Sequence, residues 1–316
     1  MIEVDPVYGA VDWGGSWIRV GLVQGRRLLG SEKVRRPQSL ESQYAAIADL
    51  LRSCEDSLDR KVEGVGVGIA GIVQGSEVVS AINLGIHRRE HVPGALGTRL
   101  AVPTFVCNDV QAVAGSLRDR WPDEVVALLS MGTGIGGAVL LRGRVFTGAG
   151  AAGDFGHMVF EPNGQPCDCG GSGCLETVVS GRVLAAAASS LALSGESAVL
   201  RRIAAGRAVH AGDLETAADA GDEAALIALS DAAAALSVGL RSLVASLDPD
   251  RVVLLGAMLD PDTVFGTMLR ERWSERRPSW SEPTLTFVRE DGDSALVGAA
   301  AFAAERLQPD GEKQHS

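Results

Sequence analysis

Apolar positions alternate with small or polar ones in two stretches that each enclose a glycine turn. Residues 10–23 (AVDW, GGS, WIRVGLV) predict two strands joined by a hairpin. Residues 129–141 repeat this order around GTG, and the two stretches align at an offset of 118 residues, pairing VGLV with AVLL. We therefore predict a duplicated α/β unit whose copies each begin with a glycine hairpin; the alternative is a chance alignment of two glycine-rich hairpins.

Helical spacing follows the first hairpin. Apolar residues recur every three or four positions between 40 and 58, behind Ser39, a residue type common at helix N-caps. A break at residues 121–123 (WPD) suggests a domain boundary. The same patterns predict strands at 62–69, 104–107 and 251–255, and helices at 109–118, 181–193, 222–247 and 294–307.

Composition and charge narrow the class of protein. With 316 residues, of which 46% are hydrophobic, the chain is long enough for two cores. The sequence has no uninterrupted run of about 18 to 20 apolar residues and no signal-like start, so we expect no membrane span and a cytoplasmic protein. The net charge of −11 argues against nucleic acid and anionic membranes as partners.

The glycine turns are candidate phosphate sites. The second one, GTGIGG at residues 132–137, fits G-x-G-x-x-G, but a strand pattern follows it where a dinucleotide fingerprint requires a helix. Its backbone N–H groups can still approach a phosphate closely. Asp12 ends the strand before the first turn, where a carboxylate would hold Mg²⁺ beside phosphate oxygens. Taken alone it is better explained as an ordinary turn residue, but together with the second glycine turn the Mg²⁺ role is favoured.

Asn108 and Asp109 follow a short strand and precede a predicted helix. Two interpretations remain open from the residues alone. Asp109 is either a helix cap or a base that accepts a proton from an attacking hydroxyl, with Asn108 beside it.

The most specific motif is His157-x9-Cys167-x-Cys169-x4-Cys174. One imidazole and three thiolates form the ligand set of a structural zinc ion, and four protein ligands leave no open position for catalysis. The metal knuckle would fix Asp154, His157 and Glu176, whose polar groups suit a polyhydroxylated ligand.

In this order the motifs resemble the ROK family of bacterial glucokinases, other sugar kinases and related repressors. The matching segments are VDWGGSWIRVGL, GVGIAG, INLG, CNDVQAVAG, SMGTGIGGAV, GDFGHMVF, CDCGGSGCLE and RVVLLGAM. The resemblance implies an α/β fold of the actin-like ATPase type, in which two RNase H-like domains flank a cleft, together with the zinc knuckle. We expect a small domain at 1–120 and a larger one at 121–293, with a terminal helix at about 294–316 packing back on the first.

The resemblance also implies ATP-dependent phosphorylation of a hexose, most often at O6, with Asp109 as the base and a homodimer or homotetramer as the assembly. The implied sugar contacts are Asn83, Asn108, Asp109, Asp154, His157 and Glu176. The implied phosphate and Mg²⁺ contacts are Asp12, Gly14, Gly15, Ser16, Gly132, Thr133 and Gly134, with Gly256 near the adenosine.

Four departures from the family pattern affect these expectations. Asp154 stands where family glucokinases usually carry Glu, so contacts near sugar C2 and C3 are expected to differ. The others are Trp17 at a common Lys position, the segment 110–112 (VQA) after the predicted base, and 256–258 (GAM) in place of a glycine run.

Several functions therefore stay open. A kinase for a modified sugar, such as the amino sugar kanosamine or a cyclitol, is an alternative to a glucokinase. A second alternative is a catalytically weak sugar sensor. A DNA-binding repressor is disfavoured by the net charge and by the short segment before the first strand, and a polyphosphate-using kinase by the scarcity of basic residues.

Overall fold

The structure is a computed structural model that describes residues 5–289 and 292–307. Its strands are β1 (Val7–Trp13), β2 (Trp17–Gln24), β3 (Arg27–Arg35), β4 (Val65–Ile69), β5 (Ile72–Gln74), β6 (Glu77–Ser80), β7 (Thr104–Asn108), β8 (Val125–Met131), β9 (Ile135–Leu141), β10 (Arg144–Phe146), β11 (Arg251–Leu255) and β12 (Thr284–Val288).

The α-helices are α1 (Leu40–Leu58), α2 (Val92–Leu100), α3 (Asp109–Ser116), α4 (Leu175–Val178), α5 (Gly181–Ser194), α6 (Ala198–Ala204), α7 (Gly212–Asp219), α8 (Glu223–Leu247), α9 (Val264–Arg276) and α10 (Ser294–Leu307). Three 3₁₀ turns lie at Ile82–Leu84, Phe155–His157 and Ala257–Leu259. The expected helix cap is confirmed, because the Ser39 hydroxyl accepts from the Ser42 N–H at 3.2 Å.

Two five-stranded sheets repeat one topology. Their orders are β3-β2-β1-β4-β7 and β10-β9-β8-β11-β12, so in each the first strand lies between the second and the fourth. β1 and β8 are both seven residues long and begin 118 residues apart. The predicted duplication is therefore confirmed. The strand after GTGIGG is also confirmed as β9, in agreement with the rejection of a dinucleotide fingerprint.

Contacts group the described chain into two compact units. The first comprises residues 5–123, 139–152 and 292–307, and the second 124–138 and 153–289. The boundaries predicted for the domains stay a prediction, and residues 308–316 of the predicted terminal helix lie outside the described part of the chain.

In the first unit, helices cover both faces of the sheet. All five residues of β4 are buried, as expected for a central parallel strand. α1 packs against β2 and β3, and α10 packs against β1, β4 and α3. Glycine permits the close approach of α10, because a Cβ at Gly66 would clash with the Ala299 carbonyl and one at Gly298 with the Ala112 carbonyl.

In the second unit, the long helix α8 packs against α5, α7 and α9. By length and composition, α8 and the segment 175–194 are apolar enough to cross a membrane. Of the most apolar 18 residues in each, 50% are buried in α8 and 28% in the segment 175–194. Buried helices of a folded core pass the same test. The leucines of α8 at 229, 236, 240 and 243 are fully buried, which identifies it as such a core helix.

Candidate active site

Residues of the first unit with predicted roles lie at one edge of its sheet. β1, β4 and β7 are parallel, and their ladder aligns Trp13 with Ile69 and Ile69 with Asn108. Asp12 precedes Trp13 in β1, and Asp109 follows Asn108 at the end of β7. Since adjacent strands are about 4.8 Å apart, their backbones stand about 10 Å from each other at the carboxyl ends of the strands. This edge is the one at which α/β sheets bind ligands.

The structure shows which of Asn108 and Asp109 caps α3, and the role of Asp109 as a base stays a prediction. The Asn108 Oδ1 accepts from the N–H groups of Val110 (2.8 Å) and Gln111 (3.3 Å), so Asn108 is the cap of α3. Its Nδ2 donates to the Gly71 carbonyl at 3.1 Å, which ties the cap to the end of β4. Asp109 is the first residue of the helix, with Oδ1 2.9 Å from the Val110 N. The sequence could not separate these two roles, because either residue type serves as a cap.

Gln111 anchors the helix that begins at Asp109. Its side chain is buried, and its Nε2 donates to the carbonyls of Gly150 (2.9 Å) and Ala152 (3.4 Å). Gln111, which departs from the family pattern, therefore forms hydrogen bonds through its side-chain amide to backbone carbonyls of the same unit. The sequence identified the substitution but not its contacts.

The first glycine turn, residues 14–16, is held through its carbonyl groups. Arg36 donates from Nε to the Gly15 carbonyl at 2.7 Å and from its backbone N to the Ser16 carbonyl at 2.9 Å. A Cβ at Gly15 would lie 3.7 Å from the Asn83 Cβ, so the predicted sugar residue lies beside this turn.

Trp17 begins the strand after this turn and is 49% exposed. The Lys33 ammonium lies 5.3 Å from the centroid of its ring. Although Trp17 removes a positive charge common in the family, Lys33 therefore brings one next to the same place.

The second glycine turn, residues 132–134, is held in a different way. The first N–H groups of α5 donate to it, from Gly181 to the Gly132 carbonyl (2.9 Å) and from Arg182 to the Thr133 carbonyl (3.0 Å). In each turn two carbonyls are thus held by other parts of the chain, and one N–H group, that of Gly14 or Gly132, donates within its own hairpin. Backbone N–H groups are the phosphate-binding groups of such turns, so the remaining ones are the candidates.

The four predicted metal ligands form one cluster. Their ligand atoms, in His157, Cys167, Cys169 and Cys174, lie within 4.8 Å of one another. Cys169 and Cys174 Sγ are 3.6 Å apart, and Cys167 Sγ is 3.5 Å from His157 Nδ1. A tetrahedral zinc with bonds of about 2.3 Å separates its sulfur ligands by about 3.8 Å, so the residues fit the ion.

The local backbone suits a bound cation at this cluster. Gly170 (φ 91°) and Gly173 (φ 69°) turn the chain around the ligands in a conformation that favours glycine. Burial raises the pKa of the Cys167 thiol to about 12, whereas a hydrogen bond from the Gly171 backbone lowers the pKa of the Cys169 thiol. A zinc ion would bind both residues as thiolates.

His157 joins this cluster to the predicted sugar residues of the second unit. Its Nδ1 faces Cys167 and lies 3.9 Å from Glu176 Oε1, while its Nε2 lies 3.8 Å from Asp154 Oδ2. The structure thus brings Asp154, His157 and Glu176 together. Burial, followed by the charge of Glu176, raises the pKa of Asp154, and the His157 charge opposes that rise.

Glu176 also touches the second glycine turn. Its Oε2 accepts from the Ile135 N–H at 3.3 Å. A Cβ at Gly134 would lie 2.6 Å from that oxygen, so a side chain at this point would displace the Glu176 carboxylate. One side chain therefore spans from the metal cluster to the turn.

Gly256 opens onto a cavity of about 310 Å³ at the carboxyl ends of β11 and β12. Its φ of 135° and the proximity of the Met131 carbonyl both exclude a side chain. The sequence indicated Gly256 but missed the opposite wall of the cavity, because β12 was not predicted. The lining residues are Gly256, Ala257, Asp260, Pro261, Phe287, Val288 and Arg289.

Comparison with protein families gives one match that covers nearly the whole chain. The model described as "ROK family" matches residues 8–306. Among curated proteins, an N-acetylmannosamine kinase of Salmonella newport (strain SL254) is 30% identical over 184 residues, or 57% of this chain. That match spans 63% of the relative, which is less than two thirds of its length.

Solved structures resemble the whole fold. A ROK family glucokinase from Streptomyces griseus, in complex with glucose and AMPPNP, has a TM-score of 0.80 at 30% identity, covering 95% of this chain and 99% of that one. A ROK hexokinase from Thermus thermophilus has a TM-score of 0.80 at 29% identity with the same coverage. The predicted α/β two-domain fold of the actin-like ATPase type is confirmed.

Proposed function

The chain belongs to the ROK family, and on that premise we propose that it is an ATP-dependent kinase that phosphorylates a hexose hydroxyl. The observation that carries the proposal is the sheet edge of the first unit. There the first glycine turn lies beside Asn83, and Asp109 starts its helix two strands from Asp12. A phosphate-binding turn, a sugar-binding amide and a carboxylate base are the parts that phosphoryl transfer to a sugar needs.

The reaction is a displacement at phosphorus. The hexose hydroxyl oxygen forms a bond to the γ-phosphorus, its proton passes to the Asp109 carboxylate, and the bond between that phosphorus and the bridging oxygen breaks. ADP leaves with the electron pair of the broken bond. Asp109 serves as the base because a carboxylate at the acceptor hydroxyl takes the proton as the bond to phosphorus forms.

The glycine turns and Asp12 bind the nucleotide in this proposal. In the turns at residues 14–16 and 132–134, the N–H groups of Gly14 and Gly132 donate to the Trp17 and Gly134 carbonyls, and the remaining backbone N–H groups would hold phosphate oxygens. Gly256 lies by the adenosine. The Asp12 carboxylate, at the end of β1 next to the first turn, would hold Mg²⁺, a cation that prefers one or two carboxylates plus phosphate oxygens. That ion neutralises charge on the β- and γ-phosphates when it is bound.

Two classes of acceptor sugar are candidates. Glucose, phosphorylated at O6, is the first candidate because the similar structure from Streptomyces griseus is a glucokinase. An amino sugar is the second candidate, and two observations favour it: the curated relative is an N-acetylmannosamine kinase, and Asp154 is one methylene shorter than the usual Glu. Asp154, His157 and Glu176 would contact the sugar in either case. A cytoplasmic location and an assembly of two or four copies complete the proposal.

The test is ADP release with Mg-ATP over glucose, mannose, N-acetylglucosamine, N-acetylmannosamine, kanosamine and a blank without sugar. We expect turnover on one sugar, and we expect Asp109→Asn to lower kcat by about 10²- to 10⁴-fold, the usual share of a general base. The matched control is Asp56→Asn, the same change at an exposed residue of α1.

Two outcomes contradict the proposal. Turnover that survives in Asp109→Asn at the level of Asp56→Asn would remove Asp109 as the base. Sugar binding seen by calorimetry, with no turnover above the blank on any sugar, would favour the sensor.

A further inference from the structure

Gln43 is a fully buried amide in the core of the first unit. Its Oε1 accepts from the Trp13 indole N–H at 2.9 Å, and its Nε2 donates to the carbonyls of Leu84 (3.3 Å) and Gln38 (3.4 Å). Its neighbours on α1 and on the sheet, including Ile47 and Leu51, belong to the apolar core. An apolar side chain would leave the buried Trp13 N–H without this acceptor, so the amide satisfies one buried donor and at the same time reaches two carbonyls.

Two of the three partners of Gln43 adjoin a residue with a proposed role in the reaction. Trp13 follows Asp12 in β1, and Leu84 follows Asn83. The third partner, Gln38, lies two residues after Arg36, whose side chain holds the first glycine turn.

The segment that carries Asn83 is held to the core in two ways. It is a single 3₁₀ turn, Ile82–Leu84, flanked by backbone bonds within residues 81–86. The side chains of Ala81, Leu84 and Ile86 are buried in the apolar core, a contact that carries no direction. The bond from Gln43 to the Leu84 carbonyl is directional, comes from a different element and links the turn through Trp13 to β1.

We propose that Gln43 is a positioning residue that holds the Asn83 segment in place against the first glycine turn. The inference rests on the proposed function, in which Asn83 contacts the sugar and the turn contacts phosphate. Through the three bonds, the relative placement of acceptor and donor is set by one side chain. A shift of that placement by about 1 Å lowers the rate of a two-substrate transfer by about a hundredfold.

The variant for the test is Gln43→Met, which is close in length and shape and removes all three hydrogen bonds. The matched control is Tyr44→Phe, the next residue of the same helix. It also loses one hydrogen bond, from its hydroxyl to Glu90 at 2.9 Å, but that bond reaches neither the turn nor the Asn83 segment.

The first readout is hydrogen exchange of the ligand-free protein in peptides that cover residues 81–86. Gln43→Met is expected to accelerate exchange there, and Tyr44→Phe is not. The second readout is kinetic: the KM for the sugar rises about tenfold or more and kcat falls in Gln43→Met. Because this variant leaves the buried Trp13 N–H without its acceptor, it should be less stable than the control, so both are assayed well below their unfolding temperatures.

These readouts separate the inference from the proposed function. Unchanged exchange at 81–86 overturns the tie whatever the kinetics show. Faster exchange with a KM and kcat equal to those of Tyr44→Phe overturns the positioning role and leaves a structural one. Faster exchange in a protein whose wild type phosphorylates no sugar overturns the kinase and leaves the tie.

Discussion

At the residue scale, buried polar side chains are held by several partners at once. Within the described residues, no buried side-chain nitrogen or oxygen lacks a hydrogen bond. Asp213 is an example from the second unit: Arg207 donates to both carboxylate oxygens at 2.6 and 2.8 Å, and the His210 N–H donates at 2.7 Å. These bonds lower the pKa of Asp213, Arg207 being the largest cause.

This shift gives a pH-dependent stability. A carboxyl whose pKa is lower in the folded than in the unfolded protein stabilises the fold above its unfolded pKa, about 3.9, and loses that contribution as the pH falls through the folded pKa. Asp213→Asn should therefore lower the free energy of unfolding by about 1 kcal/mol at pH 7, a value reduced because Arg207 is half exposed. The deficit should shrink below about pH 4.

The measurement for Asp213 is urea unfolding between pH 7 and pH 3. Asp219→Asn, the same change at an exposed residue of α7, is the control. A deficit that stays constant over this range would show that the carboxylate charge contributes nothing.

The sequence predicted the chemistry of single residues better than their partners. Residue types and spacing were sufficient for the zinc ligands, because one histidine and three cysteines within 18 residues form a complete tetrahedral ligand set. They were insufficient for Gln43 and Gln111, whose partners are backbone carbonyls of distant segments. Such bonds leave no pattern in the sequence. The roles of the sugar and phosphate residues stay predictions.

At the element scale, α10 and α3 pack closely because both carry glycine where they meet. Gly298 meets the Ala112 carbonyl, and Gly115 on α3 would bring its own Cβ within 3.3 Å of the Gly298 carbonyl. The two helices therefore approach through glycines.

Gly298→Ala is expected to destabilise the protein by about 1–3 kcal/mol, because the added methyl has a rigid backbone group in its place. Thermal unfolding followed by circular dichroism measures the change. Gly212→Ala is the matched control: it lies in the first turn of α7 with no atom within 4 Å of the added methyl, so it should be neutral or slightly stabilising. Equal unfolding temperatures for the two variants would contradict the importance of the close approach.

Elements with strong patterns were predicted and weak ones were not. α1, α3, α5, α8 and α10 lie within two residues of the expected bounds. β12 was missed because its residues are partly exposed, and α9 because its four buried residues are interrupted by charged ones. The hairpin of β5 and β6 is too short for its alternation to be distinguished from a loop.

At the scale of the whole molecule, the 118-residue offset was the most informative signal. It predicted that two sheets share one topology, and the observed strand orders confirm it. The positions of strands and turn within a hairpin are set by their lengths. The two hairpins can therefore still be aligned after most of their side chains have diverged. The extent of each compact unit follows from contacts between segments far apart in sequence, which periodicity does not show.

The zinc knuckle gives a prediction for the protein as purified. Metal analysis after dialysis should find about one zinc ion per chain, and Cys174→Ser should lose most of it, since removing one of four ligands weakens a structural site strongly. Cys54→Ser is the control, because Cys54 is a buried cysteine outside the cluster. Chelation should lower the unfolding temperature of the wild type and leave that of Cys174→Ser unchanged.

Two results would contradict a structural zinc. One is full zinc content in Cys174→Ser, and the other is a wild-type unfolding temperature that chelation leaves unchanged.

Substitution should affect the two glycine turns in different ways. In the first, the bond to the Gly15 carbonyl comes from the Arg36 side chain and is lost in most replacements, whereas the bond to the Ser16 carbonyl comes from the Arg36 backbone and is lost only with proline. In the second, both bonds come from backbone N–H groups of α5, but a Cβ at Gly181 would lie 2.3 Å from the Gly132 carbonyl oxygen. Position 182 should therefore accept most side chains, while positions 36 and 181 should tolerate few. One copy of the duplicated turn depends on a side chain at a neighbouring position, and the other depends on the lack of one.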